Sequence, residues 1–291
     1  MKSPPASAES GDFAAPEDIR IPVQAIRGRG AASALPHRFA RDVREAVDDG
    51  WGNVANPQVQ GLQASVGAEE RGAALTSAWG NEGNKGNKGE EGTPALATRV
   101  HLETARSALC ANDLPDIFFE LSVNPYRGCE HGCVYCYARP THSYLNFSPG
   151  LDFETQIVAK HNIAQVLRHE LAQPRYVPRL LNIGSATDCY QPVERELRLT
   201  RSVIEVMRDA RHPFSLITKS SGVERDLDLI APLAAQRLAA VYVTITTLDG
   251  DLARRMEPRA AAPHRRLRTI RTLAEAGVPV GVSVAPQIPF I

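Results

Sequence analysis

No fourth cysteine accompanies the three bunched at Cys129, Cys133 and Cys136. The other two of the chain's five, Cys110 and Cys189, stand apart along the sequence. A disulfide framework needs paired, recurring cysteines, and this distribution offers none. Also missing is any apolar run near the roughly 18 residues that a membrane-spanning helix requires. The opening stretch MKSPPASAESGDFAAPED has no apolar segment of the kind that marks a secretory signal. Net charge is absent too, since 33 basic residues balance 33 acidic ones. That balance removes the electrostatic argument for a nucleic acid or an anionic membrane as partner. Together these absences lead to the expectation of a reduced, cytoplasmic protein with no membrane association.

What is present suffices for a core. The chain has 291 residues, 43% of them hydrophobic, enough for one large domain or two ordinary ones. Residues 1–25 are rich in Pro, Ala, Ser and Glu and read as disordered. Residues 26–51 are basic, then acidic, and read as a short N-terminal arm. Residues 52–97 are rich in Gly, Asn and Gln, with the near-repeat GNKGNKGEEG at 83–92, and read as a low-complexity linker without structure. Residues 98–291 carry the folded domain.

Within that domain short apolar runs alternate with helical periodicity. LLNIG (180–184), FSLIT (214–218), AVYVTIT (240–246) and VPVGVSV (278–284) read as buried strands, preceded by a short one around 120–123. Ile163, Val166, Leu167 and Leu171 share one helical face, as do Leu199, Val203, Val206 and Met207. Residues 227–238 and 264–276 follow the same period, the latter closed by Gly277 at a C-cap position. Repeated strand–helix units imply a parallel sheet, either a barrel or an open doubly wound sheet. The polar segments NPYRGCEHGCVYC, SATDCYQPVE, KSS, TLD and APQIP each follow a strand. In a strand–helix barrel such loops gather at the C-terminal mouth, where active sites sit.

The spacing C-x3-C-x2-C then acquires chemical meaning. A structural zinc ion closes a tetrahedron with four protein ligands, and ordinary iron–sulfur clusters are held by four cysteines. Three cysteines without a matching fourth suggest a metal centre with one open position. The competing reading is a zinc-binding, non-catalytic module completed by His131 or His142. Cys189 reads as a small buried hydrophobe, and Cys110 as inert. The arginine-rich stretch 254–271 reads as a solvated helix face with scattered ion pairs, more than as a nucleic-acid surface.

The triplet follows a first strand and carries Tyr135 before its last cysteine. In this it resembles the signature of the radical S-adenosylmethionine superfamily. The wider texts NPYRGCEHGCVYCYARPTHSYLNFSPGLDFET, TDCYQPVE, TKSSGVERDLDLIAPLA, TTLDGDLARRMEPRAAAPHRRL and AGVPVGVSVAP resemble a bacterial subgroup distantly similar to spore photoproduct lyase, as does the arm at 26–51. The resemblance implies an α/β fold, a partial parallel (β/α) barrel. It implies a 4Fe–4S cluster on Cys129, Cys133 and Cys136, whose fourth iron is chelated by S-adenosylmethionine. The reduced cluster would cleave that cofactor to methionine and a 5′-deoxyadenosyl radical acting on an unknown substrate, with a DNA lesion favoured only by analogy. An external electron donor of the flavodoxin or ferredoxin type is implied as well. Carried over by position, Tyr135 would lie against the adenine. The loop 184–188, beginning at Gly184, would receive the methionine amino group, with Asp188 or Glu194 accepting from it. Lys219 would meet the cofactor carboxylate, and Thr244 and Thr246 the ribose hydroxyls. The superfamily pattern has six strand–helix units, whereas five strands are legible here with no helix after the fifth. The chain therefore reads as C-terminally truncated, with an inactive relative as a further alternative and the apolar face of the 278–284 strand left uncovered.

Overall fold

The computed structural model describes residues 29–31, 75–76, 96–112 and 117–289. The expected disorder of residues 1–25 lies outside them, as does all but 29–31 of the arm. In chain order the strands are β1 Leu75–Thr76, β2 Arg99–Glu103, β3 Leu109–Ala111, β4 Leu121–Val123, β5 Tyr126–Arg127, β6 Gln156–Lys160, β7 Leu181–Ile183, β8 Phe214–Thr218, β9 Ala239–Thr244 and β10 Val280–Ser283. The helices are α1 Asp152–Thr155, α2 Ile163–Leu171, α3 Glu194–Leu197, α4 Leu199–Ala210, α5 Leu227–Ala235, α6 Gly250–Met256 and α7 Pro263–Glu275.

The larger sheet has the order β10-β9-β8-β7-β4-β3. Every pair from β4 to β10 is parallel, and β3 alone runs antiparallel, against β4. Each strand of the parallel series is laid beside its predecessor on the same side. A doubly wound sheet reverses that order at a switch point; a (β/α) barrel does not. The fold is thus α/β, a partial parallel barrel. Ile183, Leu216, Val241 and Val243 are fully buried, because helices cover the parallel strands and burial favours apolar residues there. The buried polar exceptions Asn182 and Ser215 bond to each other at 2.9 Å. Val203, Ile204, Val206 and Met207 form the buried side of α4, which packs on α2 and α5. α7 ends just before Gly277, whose φ of +76° is the left-handed conformation that glycine takes at a helix C-terminus without strain.

All five sequence-read strands are present, β8 with the ends as read and the other four with shifted ends. The segment read as 240–246 stops at Thr244, so Thr246 lies in the loop beyond it. A second sheet, ordered β1-β2-β6-β5, was not foreseen. Its β1 corrects the reading of 52–97 as structureless, since Leu75 and Thr76 pair antiparallel with Val100 and Arg99. Local periodicity does not announce such short strands, because their partners lie far away in sequence. β10 pairs only with β9 among the described residues, and Val282 and Val284 are 53% and 52% exposed. No helix among the described residues is long and apolar enough to cross a membrane.

Candidate metal centre

The cysteine loop leaves the parallel sheet through β4 and β5. Gly128, at φ +79°, turns the chain where a Cβ would come within 2.8 Å of the Phe153 carbonyl oxygen. Cys129 N–H then donates to that same oxygen at 2.8 Å. From Cys129 to Cys136 the loop is irregular and is held by contacts to distant segments. Val134 N–H donates to the Met256 carbonyl at 3.0 Å, and Arg259 N–H donates to the His131 carbonyl at 3.2 Å. Glu130 N–H donates to Gln191 Oε1 at 2.9 Å, while Glu130 Oε2 accepts from Val193 N–H at 2.7 Å. Irregular backbone that is fully anchored holds its side chains nearly as firmly as a helix or strand would.

Cys129 is buried, and Cys133 and Cys136 are half-buried. Burial pushes the Cys129 thiol well above its usual range, with Asp188 and the other two cysteines adding to it. Burial likewise pushes Cys133 up to about 12, with Lys219 opposing. Three thiols packed where their thiolates repel one another want a cationic centre between them, and metal ligation supplies that compensation. Among the described residues, no three or more His, Cys, Asp or Glu side chains converge as a single ion requires. Each histidine read as completing a zinc site has one ring nitrogen beside a protein oxygen. His142 Nε2 lies 2.9 Å from the Gln156 carbonyl, and His131 Nδ1 lies 3.2 Å from Asp188 Oδ2. A cluster binds each thiolate at a different iron, and three cysteines on one anchored loop are a donor set that suits it.

The loops after β7 and β8 meet the cysteine loop at Asp188. Its Oδ1 accepts from Tyr190 N–H at 2.9 Å and the Thr218 hydroxyl at 2.7 Å, and its Oδ2 accepts from Lys219 N–H at 2.6 Å. Burial would raise this carboxyl, but His131, Lys219 N–H and the Thr218 hydroxyl outweigh it and hold it well below the usual range. With its oxygens so engaged, Asp188 braces three loops and is not a free acceptor for an ammonium group. Gly184, at φ +87°, occupies the turn after β7, where a Cβ would lie 3.0 Å from both Cys189 Sγ and the Ile217 carbonyl oxygen. Lys219 Nζ stands 5.8 Å from the Tyr135 ring centroid.

Tyr135 reaches the other side of the rim. Its hydroxyl donates to Glu257 Oε1, which also accepts from the Thr246 hydroxyl at 2.9 Å. Glu257 Oε2 pairs with Arg266, a fully buried guanidinium that also donates to the Ala261 carbonyl at 2.6 Å and the Thr244 carbonyl at 3.0 Å. Burial opposes ionisation of Glu257, yet Arg266 and Tyr135 hold its carboxyl below the usual range. Beside this group opens a cavity of about 190 Å³, lined by Tyr135, Thr246, Met256 and Val284 among others.

Two sequence-read site residues are placed elsewhere. Glu194 is buried, accepting from Tyr126, from Thr200 N–H at 3.0 Å and from Arg225 at 2.8 Å. Thr244 is buried at 2% exposure, with its carbonyl taken by Arg266. The solvated reading of 254–271 also needs correction, because Glu257 and Arg266 form an interior pair. A signal existed: Pro263, Arg266, Thr269 and Leu273 fall at helical spacing and are all buried.

A family model described as the Radical SAM superfamily matches residues 123–289. An uncharacterized protein of Mycobacterium tuberculosis is 41% identical over 192 residues, 65% of this chain and 56% of the relative. An uncharacterized protein of Methanocaldococcus jannaschii is 29% identical over 167 residues, 57% of this chain and 60% of the relative. The chain therefore spans little more than half the length of these relatives. Among solved structures, spore photoproduct lyase complexed with dinucleoside spore photoproduct aligns with a TM-score of 0.49 at 17% identity, over 65% of this chain and 52% of that one. The family match runs from the end of β4, through the three cysteines, to the loop after β10, more than half of all residues: the chain belongs to the radical SAM superfamily.

Proposed function

We propose that Cys129, Cys133 and Cys136 bind a 4Fe–4S cluster, and that the chain uses it with S-adenosylmethionine for radical chemistry on a substrate at the same rim. One observation carries this reading: three buried or half-buried thiols stand within one anchored loop that holds no fourth cysteine. They also stand beside a lysine and a cavity with an aromatic wall. When bound, cluster and cofactor supply one-electron cleavage of the sulfonium C–S bond, giving methionine and a 5′-deoxyadenosyl radical.

The residues of the rim have separable tasks in this proposal. Lys219 offers a cation to the cofactor carboxylate, and the backbone of the turn at Gly184 would receive the amino group. Tyr135 offers its ring face to the adenine while Glu257 fixes its hydroxyl. Thr246 borders the cavity, its hydroxyl donating to Glu257. Asp188 keeps the three loops in register. Glu194 and Thr244 have no part in the assignment. The reducing electron comes from an external flavodoxin- or ferredoxin-type protein.

Anaerobic reconstitution tests this. The protein should take up about four irons and four sulfides per chain, turn brown, and bleach with dithionite. It should release 5′-deoxyadenosine when S-adenosylmethionine and reductant are supplied together. Cys129→Ala, Cys133→Ala and Cys136→Ala should each remain colourless, whereas Cys110→Ala and Cys189→Ala should colour normally. A colourless wild-type protein holding one zinc per chain would overturn the proposal.

A further inference from the structure

The cysteine loop is gripped from one side by residues of the α6–α7 connection, through Met256 and Arg259. On its other side stand residues about a hundred positions upstream. Gly30 N–H donates to Glu154 Oε2 at 2.9 Å. Glu154, fully buried, accepts through Oε1 from Arg139 at 2.6 Å. The same Arg139 guanidinium donates to the Cys133 carbonyl through Nε at 3.1 Å and Nη2 at 2.9 Å. A relay of three contacts thus runs from Gly30 to the backbone of a proposed iron ligand.

Arg29 closes a second route. Its Nη1 donates to the Glu154 carbonyl at 2.7 Å, and its Nη2 donates to the Leu96 carbonyl at 2.8 Å and to Thr98 Oγ1 at 3.0 Å. The Thr98 hydroxyl donates to Glu130 Oε1 at 2.7 Å, and Glu130 is the residue next to Cys129. Backbone meets backbone directly between these routes. A Cβ at Gly30 would overlap the Gly132 carbonyl, and one at Gly132, itself at φ +68°, would come within 2.7 Å of Glu154 Oε2. Two facing glycines permit an approach that no other residue pair would. Glu154 and Glu130 thus accept from the strap side and from the rest of the domain together, so loss of the strap's donors removes charge-assisted hydrogen bonds that hold the loop.

We infer that Arg29 and Gly30 are positioning residues of the metal centre: a strap that fixes the cysteine loop through Glu154 and Glu130 and shields it from solvent. The metal half of this inference rests on the cluster proposed above; the strap itself rests on the contacts. Arg29→Ala and Gly30→Ala in the full chain test it. In metal-free protein, hydrogen exchange of the amides at 129–136 should quicken about tenfold, the scale of one lost charge-assisted hydrogen bond, while β8 and β9 exchange as in wild type. In reconstituted protein, the cluster of either variant should bleach faster in air and show a shifted midpoint potential. Arg29→Lys, keeping the charge but not the fork of donors, should fall between. Unchanged loop exchange in both alanine variants, or acceleration spread equally over β8 and β9, would overturn the strap. Quickened loop exchange in variants of a protein that takes up no iron would uphold the strap and sink the cluster.

Discussion

His142 shows how much a single residue's role depends on its surroundings. From its place near the cysteines it is a credible zinc ligand. In the fold it is wholly buried, stacked on Phe147 and edge-on to Phe153, with Nε2 at the Gln156 carbonyl. Burial lowers its pKa from 6.5 to about 4. Between those two values the unfolded chain binds a proton that the folded chain refuses. Its contribution is therefore intact above about pH 6.5 and is lost progressively as pH falls toward 4. A shift of this size is worth about 3 kcal/mol. Urea unfolding from pH 7 to 4 should show that decline, and His142→Gln should flatten it. The cysteines were legible from sequence because their spacing is local and the chemistry of three thiols is nearly independent of context. Asp188 and Glu194 were legible only as carboxylates near strand ends. Which donors reach them is decided by segments far along the chain, Lys219 for one and Tyr126 and Arg225 for the other.

At the scale of elements, Glu257 ties three of them to the loop. It lies just past α6, pairs with Arg266 of α7, and receives Tyr135 from the cysteine loop and Thr246 from the β9 exit. Glu257→Gln would leave the buried guanidinium without its counter-charge, a loss of about 3–5 kcal/mol. Chemical denaturation should register that loss. Iron uptake by the folded fraction should persist, since no cysteine is touched, but S-adenosylmethionine should bind more weakly as Tyr135 loses its anchor. A variant as stable as wild type would show that the pair is not the brace described. Strands β7 to β10 were legible as short apolar runs, and helices α2, α4, α5 and α7 because their burial is periodic. The second sheet was not: β2 and β6 are parallel partners more than fifty residues apart, and β1 and β5 have two residues each.

For the molecule as a whole, β10 is the exposed margin of the parallel sheet. It pairs with β9 alone among the described residues, with Val282 and Val284 half in water. An apolar strand with an open hydrogen-bonding edge is a template for a further chain. Zero net charge adds no repulsion to discourage that contact. Light scattering should therefore show association that grows with concentration, and Val282→Lys should reduce it without lowering the thermal midpoint. Equal scattering from both proteins would rule out this edge as the contact.

Sequence alone determined the class of fold and the identity of the candidate ligands. Apolar periodicity is a local record of what each strand and helix must bury, and three cysteines within eight residues cannot be far apart in any fold. Only the tertiary structure decided which polar residues serve the rim and which serve the interior. Arg266 and Glu257 changed from surface charges to a buried pair, and Glu194 from a cofactor contact to an internal acceptor. Arg29 and Gly30 changed from an appendage to partners of Glu154 and the cysteine loop. The physical reason is common to all of them. A charge has no fixed role until its desolvation and its partners are set, and those partners come from segments that only folding brings together.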